Sequence, residues 1–127
     1  MIGGFETPRV NHFDLSAVDP DRAMKFYQNV FGWGFVKWDG PMDYWMFSTG
    51  EGEPGIDGGL SRKSEMSPPV YLTIEVPAID DFIEMVEING GKIVREKMAI
   101  PGVGWFAMFL DTEGNAFGLM ENDQSAR

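Results

Sequence analysis

Cysteine is absent from the 127-residue sequence, and His12 is its only histidine. Without cysteine the chain can form no disulfide, no thiol nucleophile and no thiolate metal site. No apolar run approaches the roughly 20 residues of a membrane-spanning helix, so we expect no membrane partner. The opening residues, Met1 to Pro8, show no basic stretch followed by an apolar one, which favours a cytoplasmic location.

Positive charge is also scarce. Ten Lys and Arg residues stand against twenty Asp and Glu residues, which gives a net charge of -10, and the basic residues are scattered along the chain. Such a surface repels phosphate backbones, so we expect no nucleic-acid partner and favour neutral or cationic ligands. The length fits one domain, and the hydrophobic fraction of 43% is ordinary for a globular protein.

A strand followed by a helix is predicted near the start of the chain. Residues Val10 to Ala17 alternate apolar and polar side chains, as a half-buried strand does. Asp19-Pro20 then supplies an N-cap and a first helical residue, and Gly32 suits the C-terminal cap. Between them one broad apolar stripe indicates an amphipathic helix: Ala23, Met24, Phe26, Tyr27, Val30 and Phe31.

The same order returns in the second half of the chain. Tyr71 to Val76 alternates in the same way, and a helix is predicted from about Ala78 to Asn89, closed by Gly90-Gly91. A single offset of 59 positions superposes several landmarks of the two halves: His12 on Tyr71, Gly32 on Gly91, Gly55 on Gly114, Gly59 on Gly118 and Leu60 on Leu119. One register for strand, helix and glycines indicates a duplication.

Three short strands are predicted after each helix: Phe35 to Trp38, Tyr44 to Phe47, Ile56 to Ser61, Lys92 to Ala99, Trp105 to Asp111, and Ala116 to Glu121. The chain is therefore predicted to be one α+β domain over residues 1–127, built from two tandem βαβββ modules. Module 1 covers about 8–61 and module 2 about 70–121. A polar linker, 62–69, ends in Pro68-Pro69 and separates them.

These motifs resemble a known family. The resemblance rests on Asp19-Pro20-Asp21-Arg22-Ala23, Phe26-Tyr27, Val30-Phe31-Gly32-Trp33 and Asp111-Thr112-Glu113-Gly114-Asn115. The pattern resembles the vicinal oxygen chelate superfamily, which includes glyoxalases, bleomycin-resistance proteins and extradiol dioxygenases, over roughly Val10 to Glu121. The resemblance implies two βαβββ modules whose curved mixed sheets enclose an intermodular cavity, with the helices outside. It also implies a homodimer.

The resemblance further points to positions for a metal. Metal-dependent members place one ligand on the first strand and one on the last strand of each module. In this chain those positions are His12, Gly59, Tyr71 and Gly118. A divalent ion normally takes at least three protein donors, and only His12 is a good one. We therefore expect a degenerate metal site and no cofactor, with a divalent metal disfavoured.

Several side chains are candidates for the site. Histidine is the side chain suited to acid–base work near neutral pH, so His12 either lines the cavity with a hydrogen bond, binds ligand or acts in acid–base chemistry. Glu75 is the second catalytic candidate. Trp45 and Trp105 fall near equivalent places in the two modules and would stack on a planar ligand if both faced inward. The predicted ligand-binding residues are His12, Asp14, Tyr71, Thr73, Trp45, Trp105 and Met120.

Three functions remain open from the sequence. The first is a metal-free protein that binds a small ligand, aromatic ones included, in the intermodular cavity, as bleomycin-resistance-like members do. The second is a lyase or isomerase of glyoxalase type that uses His12, with or without a metal. The third is a module for dimerisation or partner contact, suggested by the many aromatic residues.

Overall fold

The computed structural model describes residues 7–52, 54–65 and 67–127. Residues 1–6 of the opening segment and Met66 of the predicted linker therefore lie outside the described residues. Two helices and eight strands follow in βαβββ order, twice: β1 (Arg9–Ala17), α1 (Pro20–Phe31), β2 (Gly34–Lys37), β3 (Tyr44–Ser48), β4 (Asp57–Arg62), β5 (Val70–Glu75), α2 (Ile79–Ile88), β6 (Lys92–Ile100), β7 (Gly104–Leu110) and β8 (Ala116–Asn122). The predicted α+β class and the repeated module are confirmed.

The chain divides into two compact units. One spans His12–Tyr71, and the other combines Leu72–Arg127 with the segment that ends at Asn11. In the first unit the strands are ordered β2-β3-β4-β1, with β1 parallel to β4 and the other pairs antiparallel. Phe13 and Phe47 lie on one face of this sheet, and Trp33 stacks on Phe47 with ring centroids 5.2 Å apart. This aromatic cluster is the packed side of the unit.

The second unit repeats that arrangement. Its strands are ordered β5-β8-β7-β6, with β5 parallel to β8. Thr73 pairs with Gly118 just as Asp14 pairs with Gly59, so the offset of 59 positions holds in the hydrogen-bond ladder. The core of this unit lies between the sheet and α2, around Val76, Ile79, Ala107 and Leu119.

Helix α1 begins and ends where the sequence predicts. The Asp19 carboxylate accepts a hydrogen bond from the Arg22 amide at 3.1 Å, and Gly32 adopts a left-handed φ of 75°. Only part of its apolar stripe packs within the unit, because Phe26, Val30 and Phe31 are each more than half exposed. The stripe therefore predicted the helix correctly but not the burial of every side chain in it.

Helix α2 is one residue shorter at each end than predicted. Its N-cap residue, Ala78, has no side chain that could accept a hydrogen bond. The Glu121 carboxylate on β8 accepts one from the Ile79 amide at 2.9 Å instead. The start of this helix is therefore held by a residue distant in sequence, a device that local sequence patterns do not reveal.

The other predicted strands agree with the structure within one or two residues. Strand β4 continues to Arg62, so the first residue of the predicted linker belongs to this strand. In the turn before β8, the Asp111 carboxylate accepts hydrogen bonds from the amides of Glu113 and Asn115. Over the residues that the structure describes, no helix is both long and apolar enough to cross a membrane.

Candidate functional site

One face of the first unit gathers its polar side chains. The ladders place His12 and Asp14 of β1 on the face opposite Phe13, because successive strand residues alternate sides. In the ladder Met46 of β3 pairs with Gly59, and Gly59 pairs with Asp14, so these three residues share one face. Tyr44 lies two residues before Met46 in the same strand and is therefore on that face too. This face, defined by His12, Asp14, Tyr44 and Gly59, is called the His12 face below.

Three side chains of the His12 face form one hydrogen-bonded network. The Tyr44 hydroxyl donates to Asp14 Oδ1 at 2.7 Å, and His12 Nε2 lies 3.0 Å from the Tyr44 oxygen. His12 Nε2 also lies 3.3 Å from Asp14 Oδ2. The Asp14 side chain is only 10% exposed, whereas that of His12 is 36% exposed. The network therefore anchors a partly accessible imidazole on a buried carboxylate.

The network determines which nitrogen of His12 carries hydrogen. Because the Tyr44 proton is directed at Asp14, the Tyr44 oxygen acts as acceptor toward His12. Both groups near Nε2 are thus acceptors, and Nε2 must be the protonated nitrogen. In the neutral imidazole the lone pair then lies on Nδ1. Among the described residues Nδ1 has no hydrogen-bond partner, so it is free to accept a hydrogen bond or a proton.

Tyr44 is held in its protonated form. Burial, followed by the negative charge of Asp14 and the hydrogen bond to it, raises the pKa of Tyr44 far above its ordinary value of 10.0. A smaller contribution comes from Tyr71, which lies in the same unit. The phenol therefore remains a hydrogen-bond donor to Asp14 throughout the physiological range.

Tyr44 also occupies the space beside Gly59. A Cβ atom built on Gly59 would overlap the Tyr44 hydroxyl, so no larger residue fits there while Tyr44 keeps this position. In the second unit, a Cβ atom on Gly118 would lie 2.7 Å from both the Phe106 ring and Thr73 Oγ1. Two of the four family metal positions are thus glycines whose side-chain space is already filled.

These residues do not match the donor set of a divalent metal. Within the described ranges, no group of three or more His, Asp or Glu side chains is close enough to hold an ion. His12 Nε2 is engaged with Tyr44 and Asp14, and the glycines offer no donor. We derive no chemical step through a metal on this face.

The second unit shows what the same positions look like without that network. Thr73 takes the place of Asp14, and Phe106 takes the place of Tyr44, since Phe106 pairs with Met120 as Tyr44 pairs with Ser61. Thr73 is 3% exposed, and among the described residues its Oγ1 has no hydrogen-bond partner. The repeated fold therefore accommodates an apolar ring where module 1 has a phenol.

Glu75 makes its hydrogen bonds within the second unit. Its Oε1 accepts from Asn11 Nδ2 and from Asn122 Nδ2, each at 2.9 Å. Glu75 shares a sheet face with Thr73 and Met120. Of the sequence-predicted residues, the structure thus groups His12 with Asp14 in one unit, and Thr73, Glu75 and Met120 on one face of the other. Tyr71 is the last residue of the first unit and is half-buried.

The two tryptophans lie on the apolar sides of their respective sheets. Trp45 pairs with Leu60 and lies on the Phe13 side of its sheet, opposite the His12 face. Trp105 packs against the core beside α2, and its Nε1 donates to Asp123 at 3.0 Å. The ladders also show that Trp45 corresponds to Ala107, because both pair with the equivalent leucines Leu60 and Leu119. Each ring thus lies on the side of its own sheet opposite the polar face that carries Asp14 or Thr73.

Three residues of these networks escaped the sequence reasoning: Tyr44, Asn11 and Asn122. Asn11 and Asn122 left no usable signal, because they are 64 and 47 residues from Glu75 in sequence. For Tyr44 a signal existed, since two consecutive glycines inside a strand, Gly58-Gly59, indicate that another group approaches closely. The pairing of β3 with β4 decides which side chain that is.

Two open grooves lie elsewhere in the first unit. One, of about 420 Å³, is lined by Val18 and by residues Arg62 to Glu65. The other, of about 410 Å³, lies along the start of α1 and includes Arg22 and Tyr27. Neither is lined by His12, and both are shallow and open to solvent. We give more weight to the hydrogen-bonded network than to these grooves, because it places defined chemical groups.

Comparison with known proteins bears on the same fold. The chain is 32% identical over 117 residues to a "Glyoxylase-like domain-containing protein" of Didymella fabae, covering 87% of this chain and 91% of that protein. It is 29% identical to the "Putative glyoxylase CFP32" of Mycobacterium bovis, covering 87% of this chain but only 44% of that protein. The chain thus spans less than half of the latter.

A solved structure and a family model agree. A hypothetical protein of Bacillus halodurans C-125 superposes with a TM-score of 0.70 at 18% identity, covering 96% of this chain and 99% of that one, which shows the fold. Residues 9–119 match the model of the Glyoxalase/Bleomycin resistance protein/Dioxygenase superfamily. With nearly the whole repeat matched, this chain belongs to the Glyoxalase/Bleomycin resistance protein/Dioxygenase superfamily.

Proposed function

We propose that this protein binds a small organic molecule at the His12 face without a divalent metal, its family metal site being degenerate. The observation that supports this most is the network of His12, Tyr44 and Asp14. It ties up the one good family ligand and fills the space at Gly59. A buried carboxylate and a phenol then serve to orient an imidazole rather than to complete a chelate.

The internal repeat supports a functional role for this network. Module 2 keeps the same ladder with Thr73 and Phe106 in place of Asp14 and Tyr44. The fold itself therefore does not need a buried carboxylate there. Burying a charge is costly unless it is paired, so a pair that the repeat dispenses with is more readily explained by binding than by stability.

The network also indicates the character of the ligand. His12 Nδ1 is an acceptor, so the ligand would contribute a hydroxyl or N–H donor. The net charge of -10 favours a neutral or cationic compound over an anionic one. An aromatic ligand would stack on Tyr44 rather than on Trp45, which lies on the other side of the sheet.

A double substitution in module 1 tests this proposal. In the double variant Asp14→Thr, Tyr44→Phe, module 1 receives the pair that module 2 already tolerates. A panel of neutral and cationic aromatic molecules is first screened by NMR for a compound that the wild type binds. We expect the double variant to fold and to lose binding of that compound. Trp45→Phe is the matched control and should bind normally. Binding unchanged in the double variant, or stoichiometric metal in protein purified without chelator, would refute the proposal.

A second candidate, a lyase or isomerase of glyoxalase type, is favoured by the free Nδ1 of His12. An accessible nitrogen base held by a carboxylate can remove a proton next to a carbonyl group. The test uses the hemithioacetal of methylglyoxal and glutathione as substrate. Proton NMR follows the incorporation of deuterium from solvent at the carbon that bears the sulfur and the hydroxyl group, next to the carbonyl group. Exchange that depends on protein and is lost in His12→Gln would favour this candidate over simple binding.

We further propose that the protein acts in the cytoplasm as a homodimer. The absence of cysteine suits a reducing compartment, and other members of the family suggest the dimer. Localisation of a fluorescent fusion tests the first statement, and the prediction at the scale of the whole molecule below tests the second.

A further inference from the structure

Glu75, in the second unit, is an exposed carboxylate held by two side-chain amides. Two amide groups, Asn11 Nδ2 and Asn122 Nδ2, donate to the same oxygen, Oε1, each at 2.9 Å. Fixing three polar side chains in one geometry costs conformational entropy, typically on the order of 1 kcal/mol or more for each long side chain. Such an arrangement orients the carboxylate, and the proposed function does not use it.

Only one oxygen of Glu75 is occupied. Over the described residues, Oε2 has no hydrogen-bond partner, and no Lys or Arg side chain forms an ion pair with the carboxylate. An ionised carboxylate can accept about four hydrogen bonds, so half of its capacity is open. The open oxygen is an oriented, charged acceptor.

Thr73 provides an independent observation on the same sheet face. It lies two residues before Glu75, which corresponds to about 7 Å along a strand. Its hydroxyl is buried, has no hydrogen-bond partner in the part of the chain that the structure describes, and lies beside Gly118 on β8. A buried hydroxyl without a hydrogen bond costs roughly 1–3 kcal/mol, so structures usually provide it with a partner.

We propose that Glu75 is the ammonium-binding carboxylate of a second small-molecule site, which takes a primary amine whose second polar group pairs with Thr73. The amine would donate to Oε2, while Asn11 and Asn122 hold Oε1. These amides are positioning residues, since they act through Glu75. All residues of this site belong to the second unit, and the variants that test it differ from those that test the His12 face, so either proposal can fail without the other.

Three related compounds test the site by NMR titration of labelled wild-type protein. Tyramine carries both groups, phenethylamine lacks the hydroxyl, and 4-hydroxyphenylacetate replaces the ammonium with a carboxylate. We expect saturable shifts of the Thr73, Glu75 and Gly118 amides, with tyramine bound more tightly than phenethylamine and no binding of the acid. Absence of saturable binding of tyramine, or equal binding of the acid, would overturn the proposal.

Variants assign the binding to the two side chains. Glu75→Gln should weaken both amines at least about tenfold, the effect of losing a hydrogen bond to a charged group. Glu84→Gln, on the exposed side of α2, is the matched control and should bind as the wild type does. Thr73→Val should keep the protein folded and remove the difference between tyramine and phenethylamine. Equal affinities in Glu75→Gln and Glu84→Gln would overturn the assignment, whatever the double variant of module 1 shows.

Discussion

A single hydrogen atom, the one on His12 Nε2, determines how the His12 face can meet a ligand. Tyr44 and Asp14 both accept from that nitrogen, so the imidazole presents the lone pair of Nδ1 outward. Had Tyr44 donated to His12 instead, the same three side chains would present an N–H group. The direction of the Tyr44 hydroxyl toward Asp14 therefore selects ligands with donors over ligands with acceptors.

The tautomer of His12 can be measured directly. We expect long-range ¹H–¹⁵N correlation spectra of the neutral imidazole to show hydrogen on Nε2 and a bare Nδ1. In Tyr44→Phe this preference should weaken, because one acceptor of the Nε2 hydrogen is gone. Two substitutions distinguish the roles of the two His12 nitrogens in ligand binding. The amide group of Asn can take the place of Nδ1, and the amide group of Gln can take the place of Nε2. His12→Asn should retain more ligand affinity than His12→Gln, and the reverse order would contradict the assigned tautomer.

Tyr44 makes a prediction for alkaline pH. Its folded pKa is raised above the unfolded value near 10.0, so its contribution is fully present below pH 10 and is lost as the pH rises further. The wild type should lose up to about 1.4 kcal/mol of unfolding free energy per pH unit there through this residue alone. Urea unfolding should show a shallower loss for Tyr44→Phe, whereas the control Tyr27→Phe should follow the wild type. Parallel curves for wild type and Tyr44→Phe would count against the raised pKa.

His12 and Asp14 could be placed together from the sequence because a strand alternates with a fixed period of two. Tyr44 could not, because its place on the His12 face depends on how β3 pairs with β4. The same limit explains why the sequence left the facing of Trp45 and Trp105 open. The offset of 59 holds for the parallel strands, but the β6–β7 hairpin is longer than the β2–β3 hairpin, which moves the equivalent of Trp45 to Ala107. Hairpin lengths are not encoded in strand periodicity.

At the scale of the elements, the two helices begin in different ways. Helix α1 is capped locally by Asp19, a residue whose role could be predicted from the sequence. Helix α2 has no cap of its own and relies on the Glu121 carboxylate of β8. The start of the first helix is therefore stabilised by a neighbouring residue in sequence, whereas the start of the second is stabilised by a residue of β8.

Stability measurements can show this difference. Asp19→Ala and Glu121→Ala should each lower the free energy of unfolding by about 1 kcal/mol, the usual effect of losing a helix cap. Adding a local cap with Ala78→Ser should recover much of the loss in Glu121→Ala while doing little in Asp19→Ala. Urea unfolding of the single and double variants checks this. If the effects of Ala78→Ser and Glu121→Ala on the free energy of unfolding simply add, Glu121 does not act as the cap of α2.

At the scale of the whole molecule, the sequence allowed the class, the element order and the repeat to be predicted, because periodicity and caps are local signals. It did not allow prediction of which apolar side chains stay exposed. Phe26, Val30 and Phe31 of α1 read as core residues but are more than half exposed, since burial depends on what packs against a helix.

The proposed homodimer carries a prediction about salt. Two subunits of net charge -10 repel each other, and salt screens that repulsion over about 10 Å at 0.1 M. Sedimentation equilibrium should therefore show a dimer whose dissociation constant falls as sodium chloride is added. A monomer at every salt and protein concentration would rule the dimer out, while leaving the binding proposals untouched.

The overlap between Gly59 and the Tyr44 hydroxyl also has an evolutionary consequence. A carboxylate side chain cannot be introduced at position 59 while Tyr44 keeps its place, and losing Tyr44 first would leave the buried Asp14 without its donor. Each single substitution is therefore disfavoured, although the two together could be tolerated. The two positions are coupled by epistasis, so substitutions that add a chelating group on this face are expected to arise only as a pair.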